Sequence, residues 1–259
     1  MPDKHLIVSL HLFNQEGITQ VTPYQEGHAS KKAQIQRMFD RIARHYDFLN
    51  HALSLGIDRV WRRKAVAELS GYTNGRFLDV ATGTGDVALL LLRKYPSATV
   101  IGVDIAEKML EIARKKSGRK GLDQRITFEN GDSENLRYPD NSFDAVTVAF
   151  GVRNFEDLQK GLSEMYRVVR PGGKAVILEF SKPRAFPFKH LFRLYFKHLL
   201  PFVGSLRSKD KRAYHYLYES VQVFPDYERF NAEMINAGWK DPHYHVLSMG
   251  ICAIYTATK

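Results

Sequence analysis

The spacing of apolar and polar residues changes character along the chain. From Ser30 onward Ile35, Met38, Phe39, Ile42 and Tyr46 recur every three or four positions, with Lys31, Lys32, Arg37, Arg41 and Arg44 between them, which predicts an amphipathic helix. A second helical pattern covers 59–70 and stops before Gly71. The intervening stretch 46–56 is aromatic and polar and reads as a linker ahead of Trp61. Short apolar runs then appear at 76–80, 99–103, 126–130, 144–149 and 174–179, alternating with helical patterns at 87–95, 108–116 and 158–169. Such β/α alternation predicts a parallel, doubly wound sheet whose ligand sits at the carboxyl ends of the strands. Residues 226–237 read as a helix stopped by Gly238, and 240–259 as two strands hinged at Ser248-Met249-Gly250.

These patterns divide the chain into five parts. Residues 1–26 are an irregular lead-in, 27–75 a helical cap, 76–181 an α/β core, 182–225 an insertion, and 226–259 a helix and strand pair that complete the core. The early apolar run from Leu6 to Phe13 is broken by Ser9 and His11, and is read as neither a signal peptide nor a membrane span.

The first strand and the turn after it carry the clearest chemistry. Phe77-Leu78-Asp79-Val80 leads into Ala81-Thr82-Gly83-Thr84-Gly85-Asp86, where two glycines allow a tight turn and close approach to a ligand. The spacing Gly83-x-Gly85-x-x-Ala88 also fits a dinucleotide site, in which a pyrophosphate rests on a helix N-terminus. Asp79 and Asp86 flank the turn, however, and fixed negative charge disfavours a pyrophosphate. S-adenosylmethionine (SAM), which has no phosphate and carries a sulfonium and an ammonium, fits better. Asp104 ends the second strand 19 residues after Gly85, placed to reach ribose hydroxyls, with Ile105 adjoining it. Asp132, after the third strand, is placed to meet an adenine. Each acid alone is equally a turn former, but three successive acidic strand ends form an adenosine site. The fourth strand ends in Ala149-Phe150-Gly151-Val152-Arg153-Asn154-Phe155, the position beside the reacting group.

Composition narrows the class. The 259 residues, 44% hydrophobic, can bury a sizeable core, and the single Cys252 excludes an internal disulfide and fits a reducing compartment. A net charge of +10 implies an anionic partner. Much of that charge comes from 182–218, which holds nine Lys/Arg, nine Phe/Tyr and one acid, Asp210. Phe192, Tyr195, Phe196, Leu199 and Leu200 form an apolar helical stripe there beside Arg193 and Lys197, which favours a lid or membrane-docking segment over an RNA-binding patch. The ten histidines form no HExxH and no Cys/His set, His243 and His245 share a strand face, and no metal site is expected. The chain has neither an Asn-Pro-Pro-aromatic tetrad nor a cysteine at a strand end, both of which nucleic-acid base methylation would use.

Taken together, these residues resemble the MenG/UbiE family, the SAM-dependent C-methyltransferases of menaquinone and ubiquinone biosynthesis, from about Val21 to the end. The most specific stretches are Tyr46-Asp47-Phe48-Leu49-Asn50 with Ser54 and Trp61, and Arg167-Val168-Val169-Arg170-Pro171-Gly172-Gly173-Lys174 with Leu178-Glu179-Phe180-Ser181-Lys182-Pro183. Phe150 to Asn154 and Pro201-x-x-Gly204-Ser205-Leu206 also match. The resemblance implies a Rossmann-like class I SAM-dependent methyltransferase fold: a mainly parallel seven-stranded sheet with a C-terminal antiparallel hairpin. It further implies that Thr84, Asp104, Asp132 and Ser133 contact SAM, with Asp79, Gly83 and Gly85 shaping the loop. Two positions depart from the family: Asp58 stands where His is frequent, and Ala149 replaces a Ser of some members, leaving a backbone contact.

The implied acceptor is a polyprenylated quinol, with demethylmenaquinol favoured over the ubiquinone precursor by the stretch 46–61. Arg153 with Asn154, and Tyr46 or Asp47 from the cap, are the candidates near the proton that must leave. The expected partners are this quinol and an anionic membrane surface, with a homodimer open and no nucleic acid. The expected location is the cytoplasm, at the inner face of the cytoplasmic membrane. An RNA methyltransferase, an NAD-binding oxidoreductase and a non-catalytic SAM-binding module are the competing readings.

Overall fold

The computed structural model describes residues 21–24, 29–194 and 211–259. The early apolar run and most of the lead-in lie outside them, as do Tyr195, Phe196, Lys197, Leu199 and Leu200 of the expected stripe and the stretch 201–206. In chain order the elements are α1 (Lys31–Leu53), α2 (Asp58–Ala67), β1 (Arg76–Val80), α3 (Asp86–Lys94), β2 (Thr99–Asp104), α4 (Glu107–Gly118), β3 (Ile126–Asn130) and β4 (Phe143–Ala149). A 3-10 turn (Val152–Asn154) leads to α5 (Leu158–Val168), β5 (Val169–Phe180) and α6 (Phe188–Leu194). After the undescribed residues come α7 (Lys211–Val223), α8 (Glu228–Asn236), β6 (Lys240–Leu247), a second 3-10 turn (Ser248–Gly250) and β7 (Cys252–Thr258).

The seven strands form one sheet in the order β3-β2-β1-β4-β5-β7-β6. β1 to β5 run parallel, while β7 lies antiparallel to both β5 and β6, giving the expected α/β, doubly wound sheet with its terminal hairpin. β1 pairs with β2 on one side and β4 on the other. The winding reverses there, so a crevice opens beyond the carboxyl ends of β1 and β4.

Both faces of the sheet are covered, which is why β1 is a continuous apolar run rather than an alternating one. Phe77 packs in one layer with Leu91, Leu92, Leu110, Val176 and Ile254. Its neighbour Leu78 enters the other, with Val146, Leu162, Met165, Ile177, Phe230 and Trp239. The polar exception in β1 is Asp79, 1% exposed.

Two boundaries differ from the sequence reading. The expected linker 46–56 is helical as far as Leu53, because nothing in it breaks a helix before Gly56, where the backbone turns left-handed at φ 77°. The fifth strand begins at Val169 instead of 174, with a register irregularity opposite Phe143 to Ala145 that absorbs Pro171-Gly172-Gly173. In the lead-in, Val21 and Tyr24 pack against Ile35, Met38, Ala213 and Tyr216, so the described part of that segment joins α1 to α7.

The turn after β1 needs glycine for two separate reasons at Gly85. Its φ is 81°, and a Cβ there would stand 2.8 Å from Phe128 Cζ and 3.1 Å from Ala113 Cβ. Gly85→Ala should therefore cost about 2 kcal/mol or more, lowering the thermal midpoint by roughly 4–8 °C when unfolding is followed by circular dichroism. An unchanged midpoint would show that this close approach does not constrain the turn.

Candidate active site

A cleft with about 670 Å³ of empty space lies at the switch point. Its floor is made by strand ends: Ala81 and Gly83 after β1, Asp104 and Ile105 at β2, Asp132 and Ser133 after β3, and Ala149, Phe150 and Asn154 after β4. Its roof is α1, through Lys32, Ile35, Phe39 and Tyr46. Eight of the residues singled out from the sequence thus meet in one cavity: Tyr46, Gly83, Asp104, Ile105, Asp132, Ser133, Ala149 and Asn154. Asp47, Asp79, Thr84, Gly85 and Arg153 stand behind its walls.

Asp104 organises the floor. Its Oδ2 accepts a hydrogen bond from the Gly83 amide (2.8 Å) and its Oδ1 one from the Ala106 amide (2.8 Å). Each oxygen keeps a lone pair for a ligand hydroxyl. Asp79 lies beneath, accepting from Thr147 Oγ1 and Thr82 Oγ1, both at 2.6 Å, which fastens the turn to β4. Burial lifts both carboxyls, each to about 6, against the hydrogen bonds that favour their ionised forms.

At the third strand end, Asp132 Oδ1 accepts from the Glu134 amide (2.9 Å). Lys32 of α1 donates to Asp132 Oδ2 (2.7 Å) and Glu134 Oε2 (3.0 Å), so the roof closes on the floor at this point. The neighbouring Lys31 donates to the Phe155 carbonyl (2.6 Å), and burial lowers its pKa to about 8. Neither lysine was singled out from the sequence, where both read as the polar face of an amphipathic helix. Their partners are 100 or more residues away, and no local spacing announces them.

Behind the glycine turn lies a charged network. Thr84 Oγ1 donates to Asp47 Oδ1 (2.5 Å) and accepts from Lys116 Nζ (3.0 Å). Lys116 also pairs with Asp47 (2.6 Å) and Asp86 (2.8 Å). Arg62 is 3.9 Å from Asp86 and is bonded to the buried Asp58, which also accepts from Ser54 Oγ (2.7 Å). This changes the electrostatic argument drawn from the sequence: Asp86 is paired with Lys116 and Asp132 with Lys32, and it is Asp104, held by two backbone amides, that gives the cleft its acidic character. Position 58 has a structural task here, anchoring Arg62, whose guanidinium lies 5.6 Å from the Phe150 ring centre.

At the fourth strand end the two polar candidates separate. Arg153 turns away from the cleft: its Nη1 donates to Glu179 Oε1 (2.7 Å) and to the Phe150 carbonyl (2.6 Å), and its Cζ lies 5.4 Å from the Phe180 ring centre. Glu179 is fully buried, and that burial pushes its pKa up against the attraction of Arg153. Asn154 does face the cleft, and its Oδ1 accepts from Tyr216 Oη of α7 (3.1 Å). That bond fixes the amide, whose Nδ2 reaches the Phe150 carbonyl at 3.4 Å and keeps an N–H for the cavity. His243 and His245 lie elsewhere, with His243 Nε2 2.8 Å from Thr256 Oγ1.

The donor set suits SAM. Acids at two strand ends match ribose hydroxyls and an adenine amino group, a glycine turn brings backbone close, and the wall beyond is apolar through Phe39, Phe150 and Phe155. Residues 27–259 match the model of the ubiE/COQ5 methyltransferase family. The chain is 47% identical over 239 residues to the demethylmenaquinone methyltransferase of Bacteroides fragilis, covering 92% of this chain and 97% of that one. It is 48% identical over 230 residues to the ubiquinone/menaquinone biosynthesis C-methyltransferase UbiE of Geotalea daltonii, covering 88% and 97%. A solved SAM-dependent methyltransferase of Thermotoga maritima, a possible histamine N-methyltransferase, superposes with a TM-score of 0.60 at 21% identity, covering 86% of this chain and 99% of that one.

The raised pKa of Asp79 makes a test of the buried floor. Between its ordinary value of 3.8 and about 6 the folded chain holds this proton and the unfolded chain does not. The associated stability is therefore complete below 3.8 and lost as pH rises through 6, a total of roughly 3 kcal/mol. In Asp79→Asn, Thr147 still finds an acceptor and the Thr82 hydroxyl can accept in turn. Urea unfolding at a series of pH values should show this variant gaining on the wild type by about that amount from pH 4 to 7. A difference independent of pH would contradict the buried, charge-averse floor.

Proposed function

The chain belongs to the ubiE/COQ5 methyltransferase family, and from that premise we propose that it transfers the methyl group of SAM to a ring carbon of a reduced polyprenylated quinol, demethylmenaquinol giving menaquinol. The observation that carries this reading is the pairing, in one cavity, of an acidic nucleoside floor (Asp104, Asp132) with an aromatic wall (Phe39, Phe150, Phe155) and a single oriented amide, Asn154. The relative from Bacteroides fragilis, named for demethylmenaquinone, supports the choice of acceptor.

Bound SAM supplies an electrophilic methyl group on sulfur. The acceptor carbon must be electron-rich, which an oxidised quinone ring is not, so the ring reacts as the quinol. Loss of a ring hydroxyl proton pushes electron density onto the adjacent carbon; the new C–CH3 bond would form there as the S–CH3 bond breaks, its electron pair staying on sulfur to leave S-adenosylhomocysteine, and that carbon then releases its own hydrogen as a proton. Asp104 holds the ribose hydroxyls, while Asp132 and Ser133 receive the adenine. Asn154 Nδ2–H and Tyr46 border the acceptor oxygen and are the catalytic candidates. Arg153 is a positioning residue, holding the Phe150 carbonyl and Glu179 so that Asn154 keeps its place. Asp47 and Thr84 act likewise on the glycine turn. α1 excludes water from above, which strengthens each of these contacts.

The protein associates peripherally with an anionic membrane, at the inner face of the cytoplasmic membrane, where a tailed quinol resides. Among the described residues no helix is long and apolar enough to cross a membrane.

Incubation with methyl-labelled SAM and demethylmenaquinone should give labelled product when a reductant is present and none when the ring stays oxidised. Asn154→Ala should lower kcat by about 10²-fold and leave the SAM dissociation constant within about 2-fold. Label transfer to the oxidised ring, or wild-type turnover in the variant, would overturn the assignment.

A further inference from the structure

Three corners of the chain are stitched together beside the cleft. Trp61 Nε1, at the start of α2, donates to Ser248 Oγ (2.8 Å) in the turn between β6 and β7. That turn is in turn bound to the exit of β5: Ser181 Oγ donates to the Gly250 carbonyl (2.8 Å), and Tyr227 Oη reaches both the Gly250 and Lys182 carbonyls (3.1 Å each). All three corners carry apolar side chains turned to solvent. Leu55 is 87% exposed, Phe186 82% and Met249 64%, with Ile57, Val60 and Phe188 also exposed.

Two features make this more than scattered surface. Leu55 and Met249 sit on left-handed backbone, φ 51° and 57°, so the fold adopts a disfavoured conformation at two of the places where it presents an apolar side chain to water. Basic residues also flank the patch: Arg59 and Arg63 on α2, Arg184, Lys189 and Arg193 on the β5 side, all exposed. Among the described residues the acid paired with this group is Glu228, with Arg184 (2.6 Å). Beneath the patch, Trp61 lies against Phe150 (6.2 Å between ring centres) and Phe180 (6.3 Å), and those two rings are 4.6 Å apart. Phe150 lines the cleft, so an aromatic stack joins patch to active site.

We infer that this three-cornered face is the surface by which the protein sits on an anionic lipid bilayer. Its apolar side chains enter the acyl boundary, its arginines and lysines meet headgroup phosphates, and Trp61 and Phe180 beneath them brace the face against Phe150, a wall of the cleft, while the acceptor's tail stays in lipid. The inference rests on the acceptor being a polyprenylated quinol. It puts the docking surface at the α1–α2 corner, the exit of β5 and the β6–β7 turn.

The test uses the full chain and the triple variant Leu55→Gln, Val60→Gln, Met249→Gln. Wild type should sediment with phosphatidylcholine vesicles containing phosphatidylglycerol and release them at high salt. The variant should bind about 10-fold more weakly, with unchanged thermal midpoint and unchanged turnover of a tail-free quinol in solution. Vesicle binding equal to wild type, or lost tail-free turnover, overturns the proposal; so does a wild-type dimer that the substitutions dissociate, since the face would then belong to a second copy. If wild type methylates no quinol at all yet binds vesicles through this face, it is the reading of the acceptor that fails. As a second measure, a polarity-sensitive fluorophore on Leu55→Cys should shift to the blue on vesicles, the native Cys252 being buried. The same probe on Ile235→Cys, near the opposite end of the sheet, should not. Equal shifts at both positions overturn the orientation.

Discussion

Two backbone amides converge on one carboxylate at the end of β2, and the shape of the cleft follows from that convergence. Asp104 takes the Gly83 amide from the turn after β1 and the Ala106 amide at the mouth of α4, so the glycine turn and the start of α4 share one anchor. One layer down, Asp79 joins the same turn to β4 through Thr82 and Thr147. Burial makes both charges costly, and each carboxyl is lifted to about 6 by it. Ligand hydroxyls donating to Asp104 relieve part of that cost. The floor is thus set by the protein's own hydrogen bonds, as preorganised binding of the proposed nucleoside would require.

The roof is held differently. In the Lys116–Asp47 and Lys32–Asp132 pairs both partners are partly exposed, with side chains from 24% to 30% accessible. Ion pairs of that kind contribute little stability each, about 0–1 kcal/mol. What they contribute is placement, setting α1 over the cleft at both of its ends. The Arg153–Glu179 pair is the opposite case, since both side chains are buried. Removing one partner there would leave an uncompensated charge in the core, at about 3–5 kcal/mol. The loop that carries Asn154 is accordingly anchored in the core.

Much of the fold could be read in the chain because its signals are local. A strand buried on both faces is a short apolar run, and helices covering it show a three-to-four spacing, so β1 to β4 and α3 to α5 fall within a residue or two of their expected places. The floor was legible for the same reason: Asp104 and Asp132 lie at strand ends that the run pattern locates. The missed parts depend on distant partners. Lys32, Lys116, Glu134 and Tyr216 read as ordinary polar or aromatic helix and loop residues, and acquire roles only when the sheet brings Asp132, Asp86 and Asn154 to them. Arg153 shows the converse, a polar residue at the right strand end whose side chain is claimed by a buried acid on the next strand. The continuation of α1 through 46–53 was hidden by aromatic and polar composition, which suggested a linker although no helix breaker was present.

We propose that SAM is held in the cavity between the ends of β1 and β4, floored by Asp104 and roofed by α1. A crystal structure of the protein with S-adenosylhomocysteine tests it most directly. Both ribose hydroxyls should lie about 2.7 Å from the Asp104 carboxylate oxygens, with the adenine edge at Asp132 and Ser133 and the sulfur facing Asn154. A nucleoside bound elsewhere, or one in this cavity whose ribose makes no contact with Asp104, would contradict the account.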